Sequence, residues 1–334
     1  MKKFVLKILL FLFPLIILPV FFSIIDVFKF FGEYDNYYKD SYVSINREHV
    51  CLKTLSKNRE HQNYNSFIFG SSRSQAFKTS DWVEYLDSSA SPFHFDASGE
   101  GIFGISNKVK YLDKLGDSIN NALVILDRTV LSLTQSRNGH LFIPNPDISE
   151  ESWMDYYITI FKAKMNPKFA LAYLDYSMFK EYRTYMGKFI IKEKYPNSYD
   201  SITCDLWYGK DQQIKNDSIN YYNNLIKRKI FYNRPTVDRL KLKLTDLEKE
   251  QLQSIKQIFD KHETNYKIII SPVYNQIEME KDQCKLLDEI FQPQNVFNYS
   301  GINRYTEPVG NYYESSHFRP SVSKSILEEI YSNQ

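Results

Sequence analysis

Ser72, Glu314 and His317 are the residues whose types and order could do chemistry together. A serine hydroxyl is a weak nucleophile at neutral pH. An imidazole that takes its proton during attack corrects this, typically by about 10²–10⁴-fold. A carboxylate on the far side of the ring fixes the tautomer and stabilises the imidazolium. Glu314 and His317 lie in the run Tyr312-Tyr313-Glu314-Ser315-Ser316-His317-Phe318-Arg319-Pro320, so one loop can present both. Ser72 lies in Ser66-Phe67-Ile68-Phe69-Gly70-Ser71-Ser72-Arg73-Ser74-Gln75, where an apolar run stops at turn chemistry. Gly-Ser-Ser alone reads as a polar strand-to-helix turn, and a lone histidine as a polar loop residue. The order of the motifs gives them weight. His49, His61, His94, His140 and His262 have no comparable setting.

These residues need a frame that brings distant segments to one edge. Ser66–Phe69 reads as a buried strand, with Gly70 permitting a sharp turn and Gln75-Ala76-Phe77 opening a helix. Pro92–Asp96 reads as a second strand, followed by the glycine-rich Ala97–Gly104 and an amphipathic helix over Ile105–Leu115. Ala122–Leu126, Tyr266–Ser271 and Asn295–Asn298 supply the remaining strands. The alternation of strands and helices predicts an α/β fold: a three-layer α/β/α sandwich on a parallel sheet of about five strands. A serine at the carboxyl end of a strand then lies where open sheets bind ligands. Residues 130–240 read as a helical insertion after the third strand, with helices over Trp153–Lys164, Lys168–Met186 and Asn220–Ile230. Its tyrosines and tryptophans read as core, with a groove lining as the alternative. Leu240–Lys261 and Ser321–Tyr331 read as helices covering the sheet.

The chain has 334 residues, 43% of them hydrophobic, enough for one large domain or a domain with an insertion. Lys2, Lys3, Lys7 and Lys29 against Asp26 give residues 1–30 a charge of +3, which leaves −1 for the rest of a chain of net charge +2. A body so nearly neutral lacks the basic footprint of a nucleic-acid binder. Ile8–Ile25 carries no charged residue and meets the length of a membrane-spanning helix. The reading is an uncleaved anchor over residues 4–25 with its amino terminus cytoplasmic and the main domain periplasmic or extracellular. A cleaved signal is the alternative, but no small-x-small site follows the apolar run. The expected organisation is an anchor over 1–28, a stalk and leading helix over 29–65, and an α/β domain over 66–334 that carries the helical insertion at about 130–240. Cys51, Cys204 and Cys284 show no C-x-x-C spacing, which argues against structural zinc, and no metal or cofactor is expected. One pair would bond in an oxidising compartment, while free or structural thiols are the simpler reading.

The motifs resemble those of the SGNH, or GDSL-type, hydrolases. Gly70-Ser71-Ser72 is similar to the family's Gly-Asp-Ser, and Glu314-Ser315-Ser316-His317 to its Asp-x-x-His. Asp96-Ala97-Ser98-Gly99-Glu100-Gly101 is similar to the stretch that places a glycine N–H in the oxyanion hole. The resemblance implies Ser72 as nucleophile, His317 as base, Glu314 as its carboxylate, and the Ser72 and Gly101 amides as oxyanion donors, with Gly99 the alternative to Gly101. The family's asparagine after the third strand is replaced by Asp127-Arg128-Thr129. Asn275 is a substitute donor, and Arg73 either binds an anionic substrate group or steadies the loop through a carboxylate. With an anchor, the resemblance points to the branch acting on cell-envelope polymers, which includes D-alanyl-lipoteichoic acid transfer and alginate O-acetylation proteins. The implied function is a serine esterase or O-acyltransferase on an acylated glycan or polymer, with a multi-span acyltransferase as a possible partner. A non-catalytic binding or assembly protein of the same fold is the alternative.

Overall fold

The computed structural model describes residues 25–187, 189–191, 197–234 and 245–332. Its centre is a parallel five-stranded sheet. The strands β1 (Ser66–Gly70), β2 (Pro92–Asp96) and β3 (Asn121–Leu126) come first. A small antiparallel pair, β4 (Ser198–Tyr199) and β5 (Leu206–Trp207), lies between β3 and β6 (Asn265–Ile270). The strand β7 (Val296–Asn298) completes a sheet of order β2-β1-β3-β6-β7. The chain leaves β1 toward one edge for β2 and returns to the other side of β1 for β3. That reversal opens a crevice beyond the carboxyl ends of β1 and β3, where a ligand can enter.

Alternation along the strands divides the core. Phe67, Phe69, Phe93, Phe95, Val124 and Ile268 face the helices Arg47–Gln62, Ile102–Leu115, Asp246–Lys261 and Lys281–Phe291. Ile68, Leu123, Ile125 and Ile269 face the other way, against Phe77, Trp82 and the apolar stripe of the helix Pro320–Ser332. With both faces covered, the strands are buried along nearly their whole length, which is why they read as continuous apolar runs. The α/β/α sandwich and its parallel sheet are therefore as the alternation of strands and helices implies.

The expected membrane helix finds no support among the described residues. Among the described residues no helix is long and apolar enough to cross a membrane. Residues 1–24, which hold nearly all of the expected anchor, lie outside the described residues. The anchored topology, membrane attachment and an outer-side main domain are withdrawn with it. Residues 25–32 run as bends and turns, not as a helix. The Asp26 carboxylate accepts from the backbone N–H groups of Phe30, Phe31 and Gly32, each at 2.8 Å. Val27, Phe28 and Phe30 are buried with Tyr156, Ile160 and Phe169 from the segment between β3 and β6.

The helix expected at Gln75 is also replaced. Only short pieces follow β1: a 3₁₀ turn at Ser74–Ala76, a single helical turn at Thr79–Trp82 and a second 3₁₀ turn at Val83–Tyr85. Buried Lys78 explains this: its ammonium donates to the carbonyls of Gln75 and Leu206, so the Gln75 carbonyl bonds a side chain instead of a helical N–H. Ser72 consequently has no long helix, and no helix dipole, behind it.

Candidate active site

Gly70 ends β1 at φ +153°, where a Cβ would press on the Ile125 carbonyl and the Ser74 side chain. Only glycine turns the chain this sharply here. Ser72 follows in the turn and is half-buried. The other half of the site comes from a hairpin, β8 (Tyr312–Glu314) and β9 (His317–Phe318). Ser315 and Ser316 form its tip, so Glu314 and His317 stand opposite one another in register. The sequence spacing thus becomes a lateral pair.

The structure brings the three together. His317 Nε2 lies 2.8 Å from Ser72 Oγ, and His317 Nδ1 bonds Glu314 Oε1. The second Glu314 oxygen accepts from the Ser316 N–H at 2.7 Å. Because a carboxylate only accepts, the Nδ1 side carries the proton and the Nε2 lone pair is directed at the serine hydroxyl. Burial pushes the Glu314 carboxyl upward, but the His317 hydrogen bond and charge, Lys210 and the Ser316 N–H outweigh it and hold the group below the usual range. Side-chain exposures of 24% for His317 and 20% for Glu314 leave the site open to solute.

Several side chains brace this arrangement. Arg73 Nη1 pairs with Asp127 Oδ2 at 2.7 Å, and its Nε donates to the Ser316 carbonyl at 3.0 Å. It therefore ties the end of β3 to the hairpin tip. Asp127 occupies the place after β3, and its other oxygen accepts from the N–H groups of Thr129 and Val130. The Tyr208 ring lies 5.8 Å from the His317 ring and 5.3 Å from that of Tyr313. Its hydroxyl donates to Gln75, whose amide donates to Asp96 at 2.6 Å. Asp96 is held from beneath by Arg47 at 2.8 Å, a pair wholly out of solvent.

A cavity of about 440 Å³ opens beside Ser72, lined by Gln75 and Ser98, by Arg47 at its base, and by Tyr38, Tyr42, Tyr176 and Tyr208. Gly101 sits at the start of the helix Ile102–Leu115, where any Cβ would overlap the Leu133 backbone. Packing alone therefore requires glycine there. Gly99 adopts φ +57° and its carbonyl accepts from Arg137 at 2.9 Å. Asn275 lines a different cavity, of about 200 Å³, with Arg73 and Asp127, and its side-chain oxygen accepts from the Ile277 N–H.

A second relay lies beneath the first. Ser74 Oγ is 3.0 Å from His94 Nε2, and His94 Nδ1 is 3.0 Å from Asp205 Oδ1. Asp205 also accepts from the Thr79 N–H at 3.0 Å and the Thr79 hydroxyl at 2.7 Å. All three members are buried, and the Ser74 hydroxyl donates to the Ser71 carbonyl at 2.8 Å. Its proton is thus directed away from His94, and no solute reaches the oxygen. Sequence reasoning passed over this relay: His94 sits mid-strand between phenylalanines, and Asp205 lies in the segment between β3 and β6. It also missed Tyr208, whose Trp-Tyr context resembles ordinary core.

Serine, histidine and carboxylate in hydrogen-bonded series are the parts that serine-type hydrolases and acyltransferases use, and at that level the structure supports such a function. No protein-family model matches the chain, and no curated protein matches it. The SGNH resemblance, and the anchored envelope branch drawn from it, are accordingly set aside. The scattered triplets that suggested them, with serine for the motif aspartate and Asp127 for the asparagine, are too short to carry a family.

Proposed function

We propose that this protein is a serine esterase or O-acyltransferase, with Ser72 as nucleophile, His317 as base and Glu314 as the carboxylate behind it. The supporting observation is the 2.8 Å approach of His317 Nε2 to Ser72 Oγ with Glu314 on the opposite ring nitrogen. Ser72 Oγ attacks the acyl carbonyl as its proton passes to His317. The tetrahedral oxyanion is held by backbone N–H groups, for which those of Ser72 and Gly101 are the candidates. Each well-placed donor contributes about 2.7–4 kcal/mol. Collapse expels the alcohol, protonated by His317, and leaves an acyl-serine. Water, or a second hydroxyl, then takes the acyl group with His317 again as base.

Ser74, His94 and Asp205 serve here as a brace. They tie β2 to the segment that carries Tyr208, and burial denies them a substrate. The tyrosine-lined cavity beside Ser72, with the amides of Gln75 and Asn197 and the hydroxyls of Ser41 and Ser44, suits an acylated, hydroxyl-rich substrate such as a glycan. Arg73, engaged by Asp127 and Ser316, steadies the hairpin, and Asn275 stands apart from this cavity. The test is turnover of an activated acetyl ester by the wild type and by Ser72→Ala. Loss in the variant supports the assignment, and equal rates refute it.

A further inference from the structure

Cys51 and Cys204 lie 153 residues apart in the chain, yet their sulfurs are 2.7 Å apart. Both are wholly buried. Two unbonded sulfurs at that separation stand well inside van der Waals contact, whereas a covalent pair sits at about 2.05 Å.

Contacts other than the sulfurs hold the two backbones together. Arg47, Cys51, Thr54 and Asn58 share one face of the helix Arg47–Gln62, at spacings of three and four residues. The neighbours of Cys51 on that face all bond the segment around Cys204. Arg47 donates to the Cys204 carbonyl, Thr54 bonds the Tyr199 hydroxyl, and Asn58 donates to the Ser201 carbonyl at 2.7 Å. The His94 N–H donates to the Thr203 carbonyl at 2.8 Å, which fixes the same segment to β2. Cys51 is thus the one member of a bonding row whose partner across the interface is another thiol. Among the described residues no set of three or more His, Cys, Asp or Glu could hold a metal ion, so the pair is not part of such a set. Cys284 lies elsewhere, beside Asn298.

We propose that Cys51 and Cys204 are joined as a structural disulfide that pins the segment leading to Tyr208, and hence one wall of the Ser72 cavity, to the helix Arg47–Gln62. The oxidant is a disulfide of the glutathione class. One cysteine thiolate attacks it, forming a mixed disulfide and releasing a glutathione thiol. The second cysteine thiolate attacks the mixed disulfide, closes the Cys51–Cys204 bond and releases the second glutathione thiol. The cysteines lose two electrons, glutathione disulfide gains them, and both protons leave with the thiols. Burial pushes the Cys51 thiol well up, which makes it a poor nucleophile once folded. The bond therefore closes during folding and is shielded afterwards.

The test reads thiols and is independent of the acyl-transfer proposal. Full-length protein is reduced in denaturant, refolded with glutathione and glutathione disulfide, and the folded monomer collected. It is then denatured without reductant, alkylated and mapped by mass spectrometry. The expected result is alkylation at Cys284 alone, with one linked peptide pair joining Cys51 to Cys204, lighter by two hydrogens than the reduced pair. Cys284→Ser is expected to keep the same link with no alkylated thiol. Alkylation of Cys51 and Cys204, or any link through Cys284, overturns the proposal.

Discussion

Replacing Glu314 by Gln keeps the shape of the His317 partner and removes its charge. The amide oxygen can still accept from Nδ1, so the tautomer survives and the loss is mainly electrostatic. At an effective dielectric near 20 and a charge separation of about 4 Å, the carboxylate favours the imidazolium by about 4 kcal/mol. Side-chain exposures of 20% and 24% admit water and salt, which roughly halve this, to about 2 kcal/mol. The imidazolium forms only as the serine is deprotonated, so the loss falls on kcat, by about 30-fold, with KM nearly unchanged. Steady-state hydrolysis of an activated acetyl ester measures both constants. Glu314→Asp, which restores charge on a shorter arm, should recover part of the rate. A Gln variant within about twofold of the wild type in kcat would show that Glu314 does not support the base, and the reasoning would fail.

Three further outcomes follow from the braces and the buried charges. Ser74→Ala removes buried bonds to the Ser71 carbonyl and His94, and should lower stability by about 1–3 kcal/mol in denaturant titration while the folded variant keeps its turnover. Loss of turnover by a fully folded Ser74→Ala would instead favour the buried relay. Arg73→Ala frees the hairpin tip and leaves Asp127 without its cation, at a cost of about 1–3 kcal/mol, between exposed and buried pairs, and kcat should fall more than KM rises. Glu100 shares a sealed pocket with Lys108 and Glu48. Burial pushes its carboxyl up to about 8, against the pull of Lys108 and with the repulsion of Glu48. The folded protein therefore holds a proton that the unfolded chain releases near pH ~4.3, so stability falls as pH rises from about 4 to about 8. Glu100→Gln should flatten that slope in melting curves across the range, and an unchanged slope would contradict a proton held on Glu100.

The sheet was legible because strands buried on both faces must be apolar throughout, as Phe67-Ile68-Phe69 and Ile268-Ile269-Ile270 are. Their order also gave the crevice at Ser72. The meeting of Ser72 with Glu314 and His317 was readable only as order and spacing. The hairpin that aligns the last two left no signal beyond the short polar tip Ser315-Ser316. The missing helix after Ser72 could not be read, since it depends on Lys78 reaching the carbonyls of Gln75 and Leu206. His94 with Asp205, and Cys51 with Cys204, are pairs made by the fold across more than a hundred residues, with no local pattern at either end. The apolar run at 8–25 meets a length rule for a span, but residues 8–24 lie outside the described residues, among which no helix is long and apolar enough to cross a membrane.

The most direct test is covalent. A fluorophosphonate, which phosphonylates an activated serine, is incubated with the folded protein, and the adduct is located by peptide mapping. The account predicts one adduct, on Ser72, lost in His317→Ala and retained in Ser74→Ala. An adduct on Ser74, or no adduct on the folded wild type, would contradict it.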